Sequence, residues 1–193
     1  MGRQAPRHEL LAGRGQVTVE EQAAPGTLPR TRTRTTRRRY AIMLGTAAFV
    51  IALDHLTKWL VTSHIPLGEQ VPAGNAFVNI HDIQNSGAAF SIGPGLTYIY
   101  LGVALVVAVY IVAWGPRMTG GLLRLLALGC ILGGSLSNGI DRLVLNGNVT
   151  DFIDFHWWPV FNCADMAIVG GMLVAVYEFG FSRREEGAPA RHP

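Results

Sequence analysis

Apolar and polar residues are sorted along this chain into long blocks. Residues 1–39 are polar and rich in Arg, Gly, Pro and Thr, with no apolar period. Four apolar segments follow, at 41–62, 95–115, 122–141 and 160–180. Each approaches the ~20 residues that an α-helix needs to cross the hydrocarbon core of a bilayer. The connection after the first segment, "VPAGNAFVNIHDIQNSGAAFSIG", interleaves Val, Phe and Ile with polar and turn residues. That pattern predicts short strands. The expected architecture is an all-α membrane protein with four transmembrane helices and a small sheet lying at one membrane face.

Three regions follow from the same pattern: a disordered basic tail at 1–39, a four-helix transmembrane domain at 40–181, and a short polar tail at 182–193. The first tail lacks the apolar residues needed to build a core. The first apolar segment has the basic flank of a signal peptide. It lacks a small-x-small cleavage site, however, and runs on through Asp54 and Lys58, so it reads as an uncleaved first helix.

Composition supports the membrane assignment. The chain is 49% hydrophobic and only 15% charged, with a mean hydropathy of +0.28, where soluble domains carry roughly 25% charge. Nine of the 16 Lys and Arg residues precede Tyr40, six of them in "RTRTRTTRRR". A nucleic-acid arm is one reading of that run. An apolar segment follows it at once, so it is better read as the cytoplasmic flank of a membrane helix, and no nucleic-acid partner is expected. Arg117, Arg124, Arg183 and Arg184 fall on the same side of a four-helix topology, while the loop from Ser63 to Pro94 has no Lys or Arg. Both termini are therefore expected in the cytoplasm, with "DRLVLNGNVTDFIDFHWWPV" facing outward. Cys130 and Cys163 lie in different segments at different depths, so no disulfide is expected. The histidines and cysteines form no metal-ligand spacing, and neither a metal nor a cofactor is expected.

Ionisable residues in apolar segments are costly and each needs a reason. Asp54 and Lys58 are spaced i,i+4 and share a helix face, which predicts an ion pair. Ser135, Asn138 and Asp141 or Arg142 form a polar stripe at the end of the third segment, with Asp141 expected to pair locally with Arg142. Asn162 and Asp165 are spaced i,i+3 at the start of the fourth segment. Asp165 has no basic residue within a turn, so it either caps the helix or belongs to a site. Asp151 sits among Phe152, Ile153, Phe155, Trp157 and Trp158, at the depth where aromatics collect. Asp154 reads as an ordinary solvated carboxylate. Asp151 and Asp165 thus converge on the outer membrane edge. Two carboxylates brought together cannot both ionise easily and share a proton. Such a pair activates a water with one member while the other donates to the scissile carbonyl. The competing readings are a small proton-coupled transporter, since intramembrane Asp, Asn and Arg also mark ion paths, and a non-enzymatic scaffold. The second apolar segment carries no charge, and polarity gathers on one side, which favours an outward-facing site.

Five blocks occur in order: "DHLTK", "NSGAAFS", "SNGIDR", "VTDF" and "FNCAD". Together they resemble the bacterial lipoprotein signal peptidases, also called signal peptidase II, over roughly residues 41–180. The resemblance implies an intramembrane aspartyl endopeptidase of the bacterial cell membrane. Such an enzyme removes the signal peptide from diacylglyceryl-modified prolipoproteins, cleaving just before the lipidated cysteine. It implies Asp151 and Asp165 as the catalytic pair. Asn85, Gly87, Asn138, Asp141, Arg142 and Asn162 would bind substrate or support the site, and Asp54 and Lys58 would be structural. It further implies an interfacial helix beside the outer sheet, contact with membrane lipids, and inhibition by the cyclic peptide globomycin. Ser137 stands where many members carry glycine. Both are small, and little consequence is expected.

Overall fold

The computed structural model describes residues 30–74, 76–87, 96–118 and 120–185, with side chains from residue 35 to residue 178. The elements run α1 (Arg30–His64), β1 (Gln70–Val71), β2 (Asn79–Asn85), α2 (Thr97–Trp114), a single 3-10 turn (Gly115–Arg117), α3 (Leu122–Val144), β3 (Val149–Asp154) and α4 (Cys163–Glu185). Three of the helical stretches, Thr35–His64, Thr97–Arg117 and Leu122–Val144, are long and apolar enough to cross a membrane. Apolar side chains stay exposed along α2, among them Ile99, Val106 and Tyr110. An outward apolar surface of this kind suits a lipid surround.

α1 begins at Arg30, well ahead of the apolar pattern, so the basic run continues the helix. Residues 1–29, where most of the expected disordered tail falls, lie outside the described residues. At that end of the bundle Arg39 reaches the turn before α3. Its Nη2 donates to the Met118 carbonyl at 2.6 Å and its Nη1 to that of Gly120 at 3.2 Å. The expected interfacial helix is not among the described elements, and residues 88–95 lie outside them.

The sheet has three antiparallel strands in the order β1-β2-β3. The first two come from the connection that predicted strands. The third was not expected: "VTDFID" reads as an aromatic interfacial connection, yet it pairs with β2 from Asn79↔Asp154 to Asn85↔Val149. The reversal from α3 into β3 is made by Asn146 and Gly147, both at positive φ (52° and 97°). Asn and Gly are the residues that tolerate this conformation. The turn returns the chain onto the helix end and delivers Asp151 beside α3.

α3 lies at the centre because its glycines let two other helices approach closely. A Cβ on Gly133 would lie 2.6 Å from the Ala47 carbonyl oxygen of α1, and one on Gly134 would lie 2.4 Å from the Ala164 carbonyl oxygen of α4. Small residues at helix contacts are the membrane alternative to a hydrophobic driving force. Gly134 thereby fixes the backbone immediately before Asp165. Gly134→Ala is expected to destabilise the fold by about 1–3 kcal/mol through overpacking, and to depress activity by displacing α4. Gly45→Ala, where an added Cβ meets nothing within 4 Å, is expected to change neither. Thermal unfolding in detergent and an activity assay on both variants check this.

Candidate active site

Four elements meet at the sheet end of the bundle. α1 brings Asp54 and Lys58, α3 brings Asn138, Asp141 and Arg142, β3 brings Asp151, and the start of α4 brings Asn162 and Asp165. Asp151 and Asp165 both line one cavity of about 390 Å³. Asn85, Gly87, Asn138 and Arg142 complete its polar side, while the α4 residues Met166, Val169 and Leu173 continue it as an apolar wall.

The α4 terminus explains how Asp165 is placed. Asn162 is the N-cap: its Oδ1 accepts the Asp165 amide at 2.9 Å, and Asp165 Oδ2 accepts the Asn162 amide at 3.3 Å. This reciprocal pattern is a capping box. The capping reading and the site reading of Asp165 are thus both true. Its other oxygen accepts Asn138 Nδ2 at 2.8 Å. Asn162 also turns its side-chain amide to the second carboxylate, Nδ2 donating to Asp151 Oδ1 at 2.7 Å. Asp151 Oδ2 accepts Asn85 Nδ2 at 2.9 Å. Asn162 therefore bonds to both aspartates at once.

Asp151 is 2% exposed. Its carboxyl is pushed up to about 7, first by burial and then by the charge of Asp165, against the hydrogen bonds from Asn85 and Asn162 and the positive charge of Lys58. A carboxyl group so placed retains its proton close to neutrality.

Behind the pair lies a buried ionic network. Lys58 Nζ is 2.6 Å from Asp54 Oδ2 and 2.7 Å from Asp141 Oδ2, and donates to Asn138 Oδ1 at 3.3 Å. The expected Asp54–Lys58 pair is present. The local Asp141–Arg142 pair is not: Asp141 turns to Lys58, with His55 Nδ1 at 3.7 Å from its other oxygen. Arg142 instead donates to the carbonyls of Asn138 (3.2 Å) and Gly87 (3.0 Å). Consecutive helix residues point about 100° apart and do not face each other. Asp141 also accepts the Thr150 amide at 3.3 Å, and Asp54 accepts the Ala164 amide at 2.9 Å. Each of these carboxylates pins the peptide one residue ahead of a cavity aspartate.

Two further expectations need correction. Asp154 is not an ordinary solvated carboxylate. It is buried, lies 3.3 Å from His81 Nδ1, and accepts the His156 amide at 2.7 Å. The β2–β3 pairing encloses it, and that pairing is invisible in a linear reading. Ser137 is also more than a small residue, because its Oγ donates to Asp54 Oδ2 at 2.7 Å. Its i,i+4 spacing to Asp141, which puts both on one helix face, was the available signal. Cys130 and Cys163 are free thiols, as expected.

The sequence profile of a family described as signal peptidase (SPase) II matches residues 46–181. The lipoprotein signal peptidase of Mycobacterium avium (strain 104) is 40% identical over 151 residues, covering 75% of this chain and 82% of that protein. The lipoprotein signal peptidase of Moorella thermoacetica is 38% identical over 143 residues, covering 73% and 94%. Among solved structures, a bacterial membrane enzyme determined by the in meso method at 2.3 Å resolution superposes with a TM-score of 0.69 at 25% identity, covering 78% of this chain and 94% of that one. A second, at 1.9 Å, gives 0.63 at 27% identity, covering 71% and 91%. Nothing in these relatives favours a transporter. The apolar helices and the matched family together make this a multi-pass membrane protein and a peptidase, and the chain belongs to the signal peptidase II family.

Proposed function

We propose that this protein is an aspartyl endopeptidase that removes signal peptides from diacylglyceryl-modified prolipoproteins, cutting just before the lipidated cysteine, with Asp151 and Asp165 as its catalytic pair. The observation that carries the reading is the convergence of these two carboxyls, from a strand and a helix terminus, on one cavity and one shared neighbour, Asn162. One ionised carboxylate takes a proton from water as the oxygen attacks the scissile carbonyl carbon. The protonated partner donates to the carbonyl oxygen, giving a neutral gem-diol. Collapse breaks the C–N bond as a proton passes to the leaving nitrogen. The products are the signal-peptide carboxylic acid and the amino terminus of the lipidated cysteine, and the pair again holds one proton. Asn85, Gly87, Asn138, Arg142 and Asn162 orient the pair and the substrate backbone. The apolar wall of Met166, Val169 and Leu173 suits the hydrocarbon parts of such a substrate. Globomycin is expected to compete for the same cavity.

In this reading α4 is a fourth span, residues 40–181 form the peptidase domain, both termini are cytoplasmic, and the cavity opens on the outer face. The basic flank of α1 supports that orientation. Reporter fusions test it. A C-terminal fusion to a phosphatase active only outside the cytoplasm is expected to be inactive, and a C-terminal fluorescent protein to fold and fluoresce. The opposite result reverses the topology.

Asp151→Asn and Asp165→Asn, made singly, are each expected to lower cleavage of a diacylglyceryl-modified substrate by at least about a hundredfold, with the protein still present in the membrane. Full processing by either variant refutes the assignment.

The pair works with one proton, and Asp151 retains it up to about pH 7. Raising the pH through that value removes the shared proton, so kcat/KM for the full-length enzyme is expected to fall on its alkaline side near there. Below the ionisation of the second carboxyl, both are protonated and activity falls again. The profile should be bell-shaped, and its two limbs belong to the pair rather than to single residues. A flat profile across neutrality contradicts a shared proton.

A further inference from the structure

Arg142 lines the cavity, and its guanidinium is held by three contacts. Nη1 donates to the Asn138 carbonyl, Nη2 donates to the Gly87 carbonyl at 3.0 Å, and the ring of Tyr100 lies 5.2 Å from Cζ. Tyr100 belongs to α2, and none of the described residues lining the cavity comes from that helix. A guanidinium is planar, weakly hydrated on its faces and well suited to an aromatic surface. A ring against it fixes the plane of the fork, and with it the direction of the N–H groups.

From Arg142 the contacts run without a gap to Asp151. The Gly87 carbonyl accepts from Arg142, and the Gly87 amide donates to Asn85 Oδ1 at 2.9 Å. With its carbonyl oxygen occupied, Asn85 presents its amide nitrogen to Asp151 Oδ2 at 2.9 Å. We propose that Tyr100 is a positioning residue for the reaction: its ring holds Arg142 on the Gly87 carbonyl, and through Gly87 and Asn85 this keeps a hydrogen-bond donor on Asp151. The inference rests on the reading of Asp151 as catalytic.

The line of contacts has a consequence for proton affinity. The charged groups facing Asp151 are Asp165 from α4, Lys58 from α1 and Arg142 from α3. The Asn85 bond opposes the effects of burial and of Asp165 on the Asp151 carboxyl. Loosening Asn85 therefore moves the proton affinity of Asp151 upward, and the alkaline limb of the pH profile follows it. A residue that merely packed α2 against α3 would lower activity and leave the limb in place.

The experiment uses the full-length protein in lipid nanodiscs with a diacylglyceryl-modified prolipoprotein. It measures kcat, KM and the pH profile for Tyr100→Leu, Tyr100→Phe, Asn85→Ala and the Tyr100→Leu/Asn85→Ala double variant. Tyr100→Leu is expected to lose about tenfold in kcat/KM and to move the alkaline limb upward by about half a pH unit. Tyr100→Phe, which keeps the ring and removes the hydroxyl, is expected to fall between Tyr100→Leu and wild type. The double variant is expected to be no worse than Asn85→Ala alone, because both substitutions break one line of contacts. An unmoved limb in Tyr100→Leu, a Phe variant as damaged as Leu, or additive losses in the double variant overturns the proposal. Should Tyr100→Leu fail to accumulate, Tyr100→Met reads the same loss of the ring. Asp151→Asn, assayed alongside, separates the two failures. Activity retained there defeats the catalytic reading and this inference with it. An inactive Asp151→Asn beside an unmoved limb defeats this inference alone.

Discussion

One buried ammonium group organises the site. Lys58 is 5% exposed, and its Nζ lies between Asp54 and Asp141. Those two carboxylates face onward in different directions. Asp54 takes the Ala164 amide and Asp141 takes the Thr150 amide. Asp165 and Asp151 are the next residues along. A single cation thus sets the position of two peptides from distant parts of the chain, and through them the two cavity aspartates. Buried ion pairs are poor sources of net stability, because desolvation offsets the attraction, yet removal of one partner costs about 3–5 kcal/mol. The network is better understood as a device for registry. It admits one relative placement of α1, α3, β3 and α4, the placement that brings the carboxyls together.

The helix terminus supplies the second half of the design. The start of an α-helix carries unsatisfied amides and favours negative charge. α4 satisfies them with Asn162, Asp165 and, from α1, Asp54. Asp165 is therefore held by requirements the helix would have in any case. Asn162 connects that local geometry to Asp151 across the cavity. A substitution at Asn162 would unseat a cap, a bridge between the two aspartates and a contact to Asn138 together.

Much of this was legible in the chain. Runs of apolar residues near the membrane length fixed the helices, and interleaved Val, Phe and Ile marked the first two strands. The i,i+4 spacing gave the Asp54–Lys58 pair, and the i,i+3 spacing gave Asn162 with Asp165. Local periodicity reaches this far because each feature lies within one element. Other features needed the third dimension. Asp141 turned to Lys58 because the two helices pack closely through glycine, and no spacing encodes that. Asp154 and the third strand were misread because strand pairing depends on a partner some 70 residues away, from Asn79 to Asp154. Ser137 was read only as a small residue, and Tyr100 was passed over because a ring on an apolar helix carries no signal until its neighbour is known.

The balance of charge around the cavity bears on the proposed shared proton. Asp54, Asp141, Asp151 and Asp165 crowd one end of the bundle, where the fixed cations beside them are Lys58 and Arg142. Lys58 is occupied by the two supporting carboxylates, and Arg142 by two carbonyls and a ring. Among the described residues no cation bonds directly to Asp151, which meets neutral amides and feels the charges of Asp165 and, more weakly, Lys58. Had Lys58 or Arg142 bonded directly to either cavity aspartate, both would ionise readily and the pair would lose its acid. By directing its cations to the supports and to the backbone, the fold leaves Asp151 and Asp165 on one cavity with amide partners, the setting that the proposed shared proton requires.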